Sequence, residues 1–321
     1  MRECISFLCA AVVLISACAI GPVGEGSRSG PDEITVIILG VAQDAGIPQT
    51  GDDCDNCVAA RDDPGRSHRV ACLGIVDRLT GKTYLIDATP DLSAQWDILR
   101  PEGTLTPGQP LSGLAGIFLT HAHIGHYLGL VYFGREAVGR VGPRVHATAR
   151  MNQFLSENAP WEQLVRLKNI SLVEIRVNEA VELRPGLTVT PIRSPHRQEY
   201  SDTVGYIVEG KKRLLYIPDT DRWEEWDLPI EQLCQEADYA LLDGTFYDAN
   251  ELPGRDISSI PHPLVTESMR RLEGIVRKRP GSIIFIHFNH SNPLLDPDGP
   301  ERAALERKGF RVAHEGMRLG L

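Results

Sequence analysis

The sequence lacks the excess of positive charge that general nucleic-acid binding requires. Of its 321 residues, 33 are Lys or Arg and 43 are Asp or Glu, so the formal net charge is −10. Such a chain offers no basic stripe to neutralise a phosphate backbone, which disfavours nucleic acid as a partner. It also shows no internal repeat and no convincing second domain boundary. We therefore expect one globular domain that acts on a small-molecule substrate.

The sequence also lacks an N-terminal apolar run long enough to span a membrane. The run after Arg2 extends for about fourteen residues, against ~20 for a span, and fits the apolar region of a signal peptide. It ends in Ile15-Ser16-Ala17-Cys18, which resembles the bacterial lipobox. We expect residues 1–17 to be a signal peptide of lipoprotein type, with a plain secretory signal as the alternative.

Residues 18–33 are rich in Gly, Pro and Ser, and this composition is typical of a flexible tether. The domain would then occupy residues 34–321. A lipid on Cys18 would anchor it in the cell envelope, facing the periplasm or the exterior.

Few cysteines remain once the signal peptide is removed. Within the domain they are Cys54, Cys57, Cys72 and Cys234. In an oxidising compartment two disulfides are the simplest expectation. Cys54 and Cys57 form a C-x-x-C pair, however, and this spacing is equally typical of half a metal site.

The apolar patterns predict a mixed, layered α/β domain. Hairpin strands come first, and strand and helix then alternate. Helices are predicted at 91–100, 127–138, 152–158 and 264–278. Strands are predicted at 34–39, 172–175, 187–192, 204–208, 213–217, 238–242 and 282–286, with a short strand at 145–147 and a hairpin at 70–87.

A histidine cluster follows one of the apolar runs. The stretch 119–130 reads LTHAHIGHYLGL and places His121, His123 and His126 at the spacing H-x-H-x-x-H. A lone histidine is usually a satisfied core or surface residue, but three together favour a shared metal ion. Other polar groups also follow the ends of predicted strands, where a sheet edge would gather them. They are His196, Asp219, Asp243 and His287.

The order of these motifs along the chain resembles the motif series of the metallo-β-lactamase superfamily. The histidine cluster comes first and is followed by His196, Asp219 and His287. The resemblance covers about residues 34–321 and implies a four-layer αβ/βα sandwich with metals at one edge. Several stretches are more similar to pyrroloquinoline quinone biosynthesis protein B and to the phosphodiesterase of bacterial phosphonate breakdown. These stretches are Cys54-Asp-Asn-Cys57, Ala88-Thr-Pro-Asp-Leu92, Leu242-Asp-Gly-Thr-Phe246, His287-Phe-Asn-His290 and Gly309-Phe-Arg-Val-Ala-His-Glu-Gly-Met317.

The resemblance implies a ligand set for two active-site metals, zinc or alternatively manganese. Asp219 would bridge the two ions. The first ion would be held by His121, His123 and His196, and the second by His126 and His287.

The resemblance also implies a structural zinc ion bound by Cys54, Cys57 and His290. These relatives carry C-x-C-x-x-C, whereas this chain has Asp52 in place of the first cysteine. The fourth ligand is therefore left open, as is a disulfide between Cys54 and Cys57.

Gly125 stands where two-metal relatives ordinarily carry an aspartate. On this reading the second metal has one ligand and one negative charge fewer than usual, so we expect one tight and one weak active-site metal. Substitution of Gly125 by Asp would then strengthen the second site. The alternative is that the turn between His123 and His126 requires a glycine conformation.

The implied activity is hydrolysis of a phosphodiester or another small ester-like bond by a metal-activated water. Asp219 would orient the water, and His262 would give a proton to the leaving group. Alternatively, His262 only begins a helix between two prolines. The competing function is a non-hydrolytic protein that binds a small molecule such as a quinone.

Overall fold

The computed structural model describes residues 33–109, 111–252, 254 and 261–321. The predicted signal peptide and nearly all of the predicted tether lie outside the described residues, so both stay predictions. Residues Asp32–Leu321 form one compact unit. Across the described ranges, no helix combines the length and apolar character that a membrane crossing demands.

Strands of the described chain form two seven-stranded sheets. The first sheet has the order β14-β1-β2-β3-β4-β5-β6 and the second has the order β13-β12-β11-β10-β9-β8-β7. In the first sheet the strands are β1 (Ile34–Gly40), β2 (Cys72–Asp77), β3 (Lys82–Ile86), β4 (Leu114–Phe118), β5 (Arg144–Ala147), β6 (Ser171–Glu174) and β14 (Arg318–Gly320). In the second they are β7 (Val181–Arg184), β8 (Leu187–Arg193), β9 (Val204–Glu209), β10 (Arg213–Ile217), β11 (Tyr239–Asp243), β12 (Ile283–Ile286) and β13 (Arg311–Val312).

Helices flank the two sheets. They are α1 (Asp55–Asp62), α2 (Leu92–Leu99), α3 (Ile124–Tyr127), α4 (Ala149–Glu157), α5 (Trp161–Arg166), α6 (Ile230–Glu236), α7 (Val265–Lys278) and α8 (Pro300–Arg307). Two mixed sheets flanked by helices confirm the predicted four-layer sandwich.

Alternate side chains of β1 face two different hydrophobic cores, which shows how the layers are packed. Val36 and Ile38 belong to the core that also contains the apolar strands of the second sheet. Ile37 and Leu39 point the other way, into a core that includes residues of α2 and α4. Both faces of β1 are therefore covered, which explains why all seven of its residues are buried.

One predicted helix is wrong. The pattern of residues 127–138 suggested an α-helix, but α3 ends at Tyr127 and a 3₁₀ segment follows from Leu128 to Phe133. The reason is a close approach at Gly129, whose N–H donates to the Ala88 carbonyl at 2.9 Å. Because Gly129 makes this long-range bond, the chain departs from the α-helical hydrogen-bond pattern there.

The ends of several strands meet at one edge of the sandwich. Strands β10, β11 and β12 run parallel as neighbours, so Asp219, Asp243 and His287 emerge side by side. The segment after β4 joins them across the two sheets, because Val204 N–H donates to the Thr120 carbonyl at 3.0 Å. The functional side chains predicted from strand ends are thus brought together.

Candidate metal centre

The first group of candidate ligands surrounds one carboxylate oxygen. Oδ2 of Asp219 lies 3.2 Å from Nε2 of His121, 3.1 Å from Nε2 of His196 and 3.7 Å from Nδ1 of His123. His123 Nδ1 and His196 Nε2 are 3.2 Å apart. The same carboxylate oxygen is 3.9 Å from Nε2 of His126, which belongs to the second group. Asp219 therefore stands between the two groups, as the resemblance implied.

Each candidate histidine ligand has a hydrogen-bond partner on the outer side of its ring. This partner decides which ring nitrogen faces the space around Asp219. Nδ1 of His126 lies 2.7 Å from Asp87, and Nδ1 of His196 lies 2.8 Å from Asp221. Nδ1 of His287 bonds the Thr245 hydroxyl at 3.0 Å. These partners leave Nε2 of each ring free to face inward.

His123 has the opposite ring orientation. Its Nε2 faces Glu199 at 3.4 Å, so its Nδ1 is the nitrogen that points to the first group. His121 resembles the other rings, because its Nδ1 lies 3.0 Å from the Thr120 hydroxyl. The outer partners thus fix every candidate imidazole in one orientation before any ligand binds.

The second group contains His126, His287 and a residue that the sequence did not reveal. Oδ1 of Asp44 lies 3.5 Å from Nε2 of His126, and ligand atoms of Asp44, His126 and His287 all lie within 4.8 Å of one another. Asp44 thus brings a second carboxylate to this group, in addition to the nearby Asp219.

Gly125 does not require a glycine backbone conformation. It lies within α3 and has no positive φ. A Cβ atom there would lie 2.3 Å from Oδ1 of Asp44, so an aspartate at this position would clash with Asp44 rather than add to it. We therefore expect that Gly125→Asp does not strengthen the second metal site.

The donor atoms fit a metal ion. Nε2 of His121, His126 and His287 and Oδ1 of Asp219 are buried and have no hydrogen-bond partner among the described residues. Orphaned buried polar atoms are costly unless a cation or water satisfies them. Two ligands of a tetrahedral zinc ion are roughly 3.4 Å apart, given bonds of about 2.0–2.2 Å, and the separations of 3.1–3.7 Å around Asp219 match this spacing.

The charge states of two residues also suit metal binding. Burial keeps the pKa of His121 well below its ordinary value, so this ring is a neutral ligand. Burial opposes ionisation of Asp219, but the surrounding histidines, His196 foremost, hold its pKa well below the usual carboxyl range. A neutral imidazole and an ionised carboxylate are the forms that bind a metal.

His262 forms a pair with Asp243 beside this centre. Its Nδ1 lies 2.8 Å from Oδ2 of Asp243 and 3.5 Å from Oδ1 of Asp219. Asp243 also accepts the N–H groups of Thr220 at 3.0 Å and Thr245 at 2.8 Å. Because its oxygens are occupied in this way, Asp243 positions His262.

A third group lies at the beginning of α1. Asp52, Cys54, Cys57 and His290 place one ligand atom each within 4.8 Å of the others. His290 Nδ1 is 3.3 Å from both Oδ1 of Asp52 and Sγ of Cys54. Asp52, which left the fourth position open, therefore sits with the other three candidate ligands.

The disulfide alternatives do not occur in the described chain. Cys54, Cys57, Cys72 and Cys234 are all free, and the last three are buried. Burial raises the pKa of the Cys54 thiol to about 12, so a nearby cation is needed to keep this sulfur a thiolate at neutral pH.

A cavity of about 610 Å³ is lined by His262, beside the first group, and by Asp52 and His290 of the third group. Arg197 brings a positive charge to its lining. The other lining residues are Gln43, Gln49, Phe246, Leu252, Pro261 and Asn289. The size and the polar lining suit a small polar substrate.

Sequence reasoning missed Asp44 and the outer partners Asp87 and Asp221. Asp44 lies four residues beyond the end of β1, too far for the strand-end rule to indicate it. Asp87 follows β3 directly, so the same rule applied to β3 would have indicated it. Asp221 lies two residues beyond Asp219 and had no comparable signal.

Comparisons with known proteins agree with this geometry. Residues 82–288 match the family model described as "Beta-lactamase superfamily domain". The chain is 29% identical to coenzyme PQQ synthesis protein B of Pseudomonas fluorescens, over 89% of this chain and 99% of that protein. The chain spans nearly the full length of this relative.

Two solved structures share the fold. One is the Zn²⁺-bound PqqB of Methylobacterium extorquens, with a TM-score of 0.73, 25% identity and coverage of 89% of this chain and 100% of that one. The other, a diphosphatase of the PhnP family, has a TM-score of 0.61 at 21% identity, with coverage of 89% and 96%. The resemblance inferred from the motifs is confirmed.

Proposed function

Because the chain belongs to the β-lactamase superfamily, we propose that it is a metal-dependent hydrolase of a small phosphodiester or a related ester. The observation that carries this proposal is the convergence on Asp219 of histidine nitrogens that their outer partners have already oriented. Several relatives in this superfamily are hydrolases, including the PhnP-family diphosphatase.

Zinc is the proposed metal, with manganese as the alternative, because imidazole and carboxylate ligands suit both ions. His121, His123, His196 and Asp219 would hold the zinc ion, which would supply Lewis-acid activation of water at neutral pH. Asp219, which lies between the two ligand groups, would orient that water. The hydrogen-bond partners on the outer side of each histidine ring would hold the ligand imidazoles in a fixed orientation.

His262 is the proposed proton donor. Asp243 binds its Nδ1, so its Nε2 is the nitrogen available to a leaving-group oxygen. Burial disfavours the charged ring, but the carboxylates of Asp243 and Asp219 outweigh it and raise the pKa of His262 above its ordinary value. The ring therefore holds its proton more firmly than a free imidazole does, beside the cavity.

Phosphodiesters are the favoured substrate class because the cavity lining combines one guanidinium group with several amide donors. A phosphodiester carries one negative charge, and Arg197 offers a positive group for it. The amides of Gln43, Gln49 and Asn289 can donate hydrogen bonds to the remaining oxygens.

The proposal is tested by assaying the purified domain with zinc or manganese against phosphodiesters, thioesters and lactams. Metal-dependent turnover of a phosphodiester that His121→Ala abolishes together with metal binding is the expected result. Undiminished hydrolysis by His121→Ala would contradict the metal mechanism. Preferential turnover of a thioester or lactam would contradict the substrate class alone.

A second function is favoured by the relatives named coenzyme PQQ synthesis protein B. On that alternative the domain binds a quinone or similar small molecule without hydrolysing it. Saturable binding of such a ligand, with no turnover on the panel by fully metal-loaded protein, would select it. The retained ligand set favours the enzyme, because a binding protein has no need of every metal-binding side chain.

The group around Cys54 is proposed to hold a structural zinc ion with Asp52, Cys57 and His290 as its other ligands. It would connect the beginning of α1 to the segment after β12. Substitution of Cys57 by Ser should release one zinc ion per chain and lower the melting temperature. Unchanged zinc content would remove Cys57 from the ligand set.

A further inference from the structure

Gly125 leaves room for a carboxylate from another part of the chain. A Cβ atom at Gly125 would lie 2.3 Å from Oδ1 and 2.6 Å from Cα of Asp44. Both distances are shorter than real Cβ contacts, and the second involves main chain, which cannot move away cheaply. The close approach of Asp44 is therefore the structural reason for glycine at this position.

The main chain fixes Asp44 in this place. Ala42 forms a parallel bridge to Phe288, and Gln43 N–H donates to the Phe288 carbonyl at 2.9 Å. The segment before Asp44 thus runs beside the residue that follows His287. Gly125 N–H donates to Oδ1 of Asp44 at 3.2 Å and directs the carboxylate to the second group.

We propose that Asp44 is a ligand of a second metal ion, together with His126 and His287, and that it replaces the carboxylate that Gly125 cannot supply. This inference rests on the metal-binding part of the proposed function and does not depend on hydrolysis. Oδ1 of Asp44 is 3.5 Å from Nε2 of His126, close to the roughly 3.4 Å between two ligands of a tetrahedral zinc ion.

The two histidines provide independent support. Nε2 of His126 and Nε2 of His287 are buried and lack a hydrogen-bond partner in the described chain. The carboxylate of Asp44 adds to this site a negative charge that the two neutral imidazoles do not provide. Asp44 therefore supplies the ligand and the negative charge that an aspartate at position 125 would otherwise provide.

The competing role for Asp44 is an ion pair. His126 already faces Asp87 through Nδ1, so a protonated His126 could lie between two carboxylates. Metal binding and ion pairing make opposite predictions for metal stoichiometry when Asp44 is altered, and this difference decides between them.

Titration of the metal-free chain with Mn²⁺ measures that stoichiometry, followed by the electron paramagnetic resonance signal of free aqueous Mn²⁺. Manganese prefers oxygen and nitrogen ligands, so it spares the thiolate group at Cys54. The wild type should bind two ions per chain. Asp44→Asn and Gly125→Ala should each keep the first ion and weaken the second at least about tenfold.

Matched controls separate this effect from general damage. Asp97→Asn removes an exposed carboxylate of α2, and Gly274→Ala adds a methyl group with nothing within 4 Å. Both should bind two ions. Adding Gly125→Ala to Asp44→Asn should cost little further affinity, because both changes remove the same ligand.

Each outcome has a definite meaning. Two ions bound equally well by Asp44→Asn would assign Asp44 to the ion pair and overturn the inference, as would a single ion in the wild type. If Asp44→Asn does not fold, Gly125→Ala tests the same ligand without removing it. A wild type that binds no Mn²⁺ or Zn²⁺ at these histidines would overturn the proposed function as well.

Discussion

Substitution of His262 by Gln separates proton donation from scaffolding. Glutamine can still donate a hydrogen bond to Asp243, which also keeps its bonds to the N–H groups of Thr220 and Thr245. No buried carboxylate is therefore left without partners, and the fold and the metal ligands should be retained. Glutamine cannot, however, supply a proton to a leaving group.

The size of the effect follows from this role. General acid help is typically worth 10²–10⁴-fold, or roughly 2.7–5.4 kcal/mol of barrier at ~1.36 kcal/mol per decade. With a phosphodiester that has an alkoxide leaving group, the kcat/KM of the variant should fall by about this factor. Nitrophenolate departs without a proton, so the kcat/KM of the variant for a nitrophenyl ester should fall by less than about tenfold.

The assay compares kcat/KM for two phosphodiesters that differ in the leaving group, with metal content measured on the same samples. His314→Gln is the matched control, because His314 is exposed and far along the chain from the ligand motifs. Asp243→Asn should show the same leaving-group pattern as the His262 variant, since it disturbs the orientation of that ring. An equal loss on both esters would assign His262 to substrate binding or structure and refute the reasoning.

Three further predictions concern other parts of the molecule. Asp87→Asn should lower metal affinity about 10–100-fold by releasing the ring of His126, measured by competition with a chelator. Cys18→Ser should abolish signal processing and detergent partitioning; wild-type behaviour would exclude the lipid anchor. Burial lowers the pKa of His146, stacked on Phe118, to about 4. Its neutral form contributes stability above pH ~6.5 that is lost towards pH 4, by up to about 3 kcal/mol, and His146→Phe should reduce this slope in urea denaturation.

Much of the fold was predictable because its strands carry their own signal. The β-branched run of β1 and the hairpin of β2 and β3 follow from local composition and a turn. The short strands β7, β13 and β14 were missed, because two to four residues show no reliable period. Their pairing depends on neighbours that are distant in sequence.

The candidate site was predictable where its residues follow strands. Asp219 lies two residues after β10 and His287 directly after β12, and parallel strands place such residues at one edge. Asp44 was not predicted because it reaches the site through main-chain contacts with Phe288, which no local pattern reveals. At Gly125 the sequence shows only the absence of an aspartate, whereas the structure shows that the absent side chain leaves space for Asp44.

The central claim is that these side chains bind metal ions at the edge of the sandwich. Anomalous diffraction from crystals equilibrated with zinc or manganese tests it most directly. We predict one peak within ~2.0–2.2 Å of His121, His123, His196 and Asp219, and another beside His126, His287 and Asp44. Absence of anomalous density at both groups under saturating metal would contradict the claim.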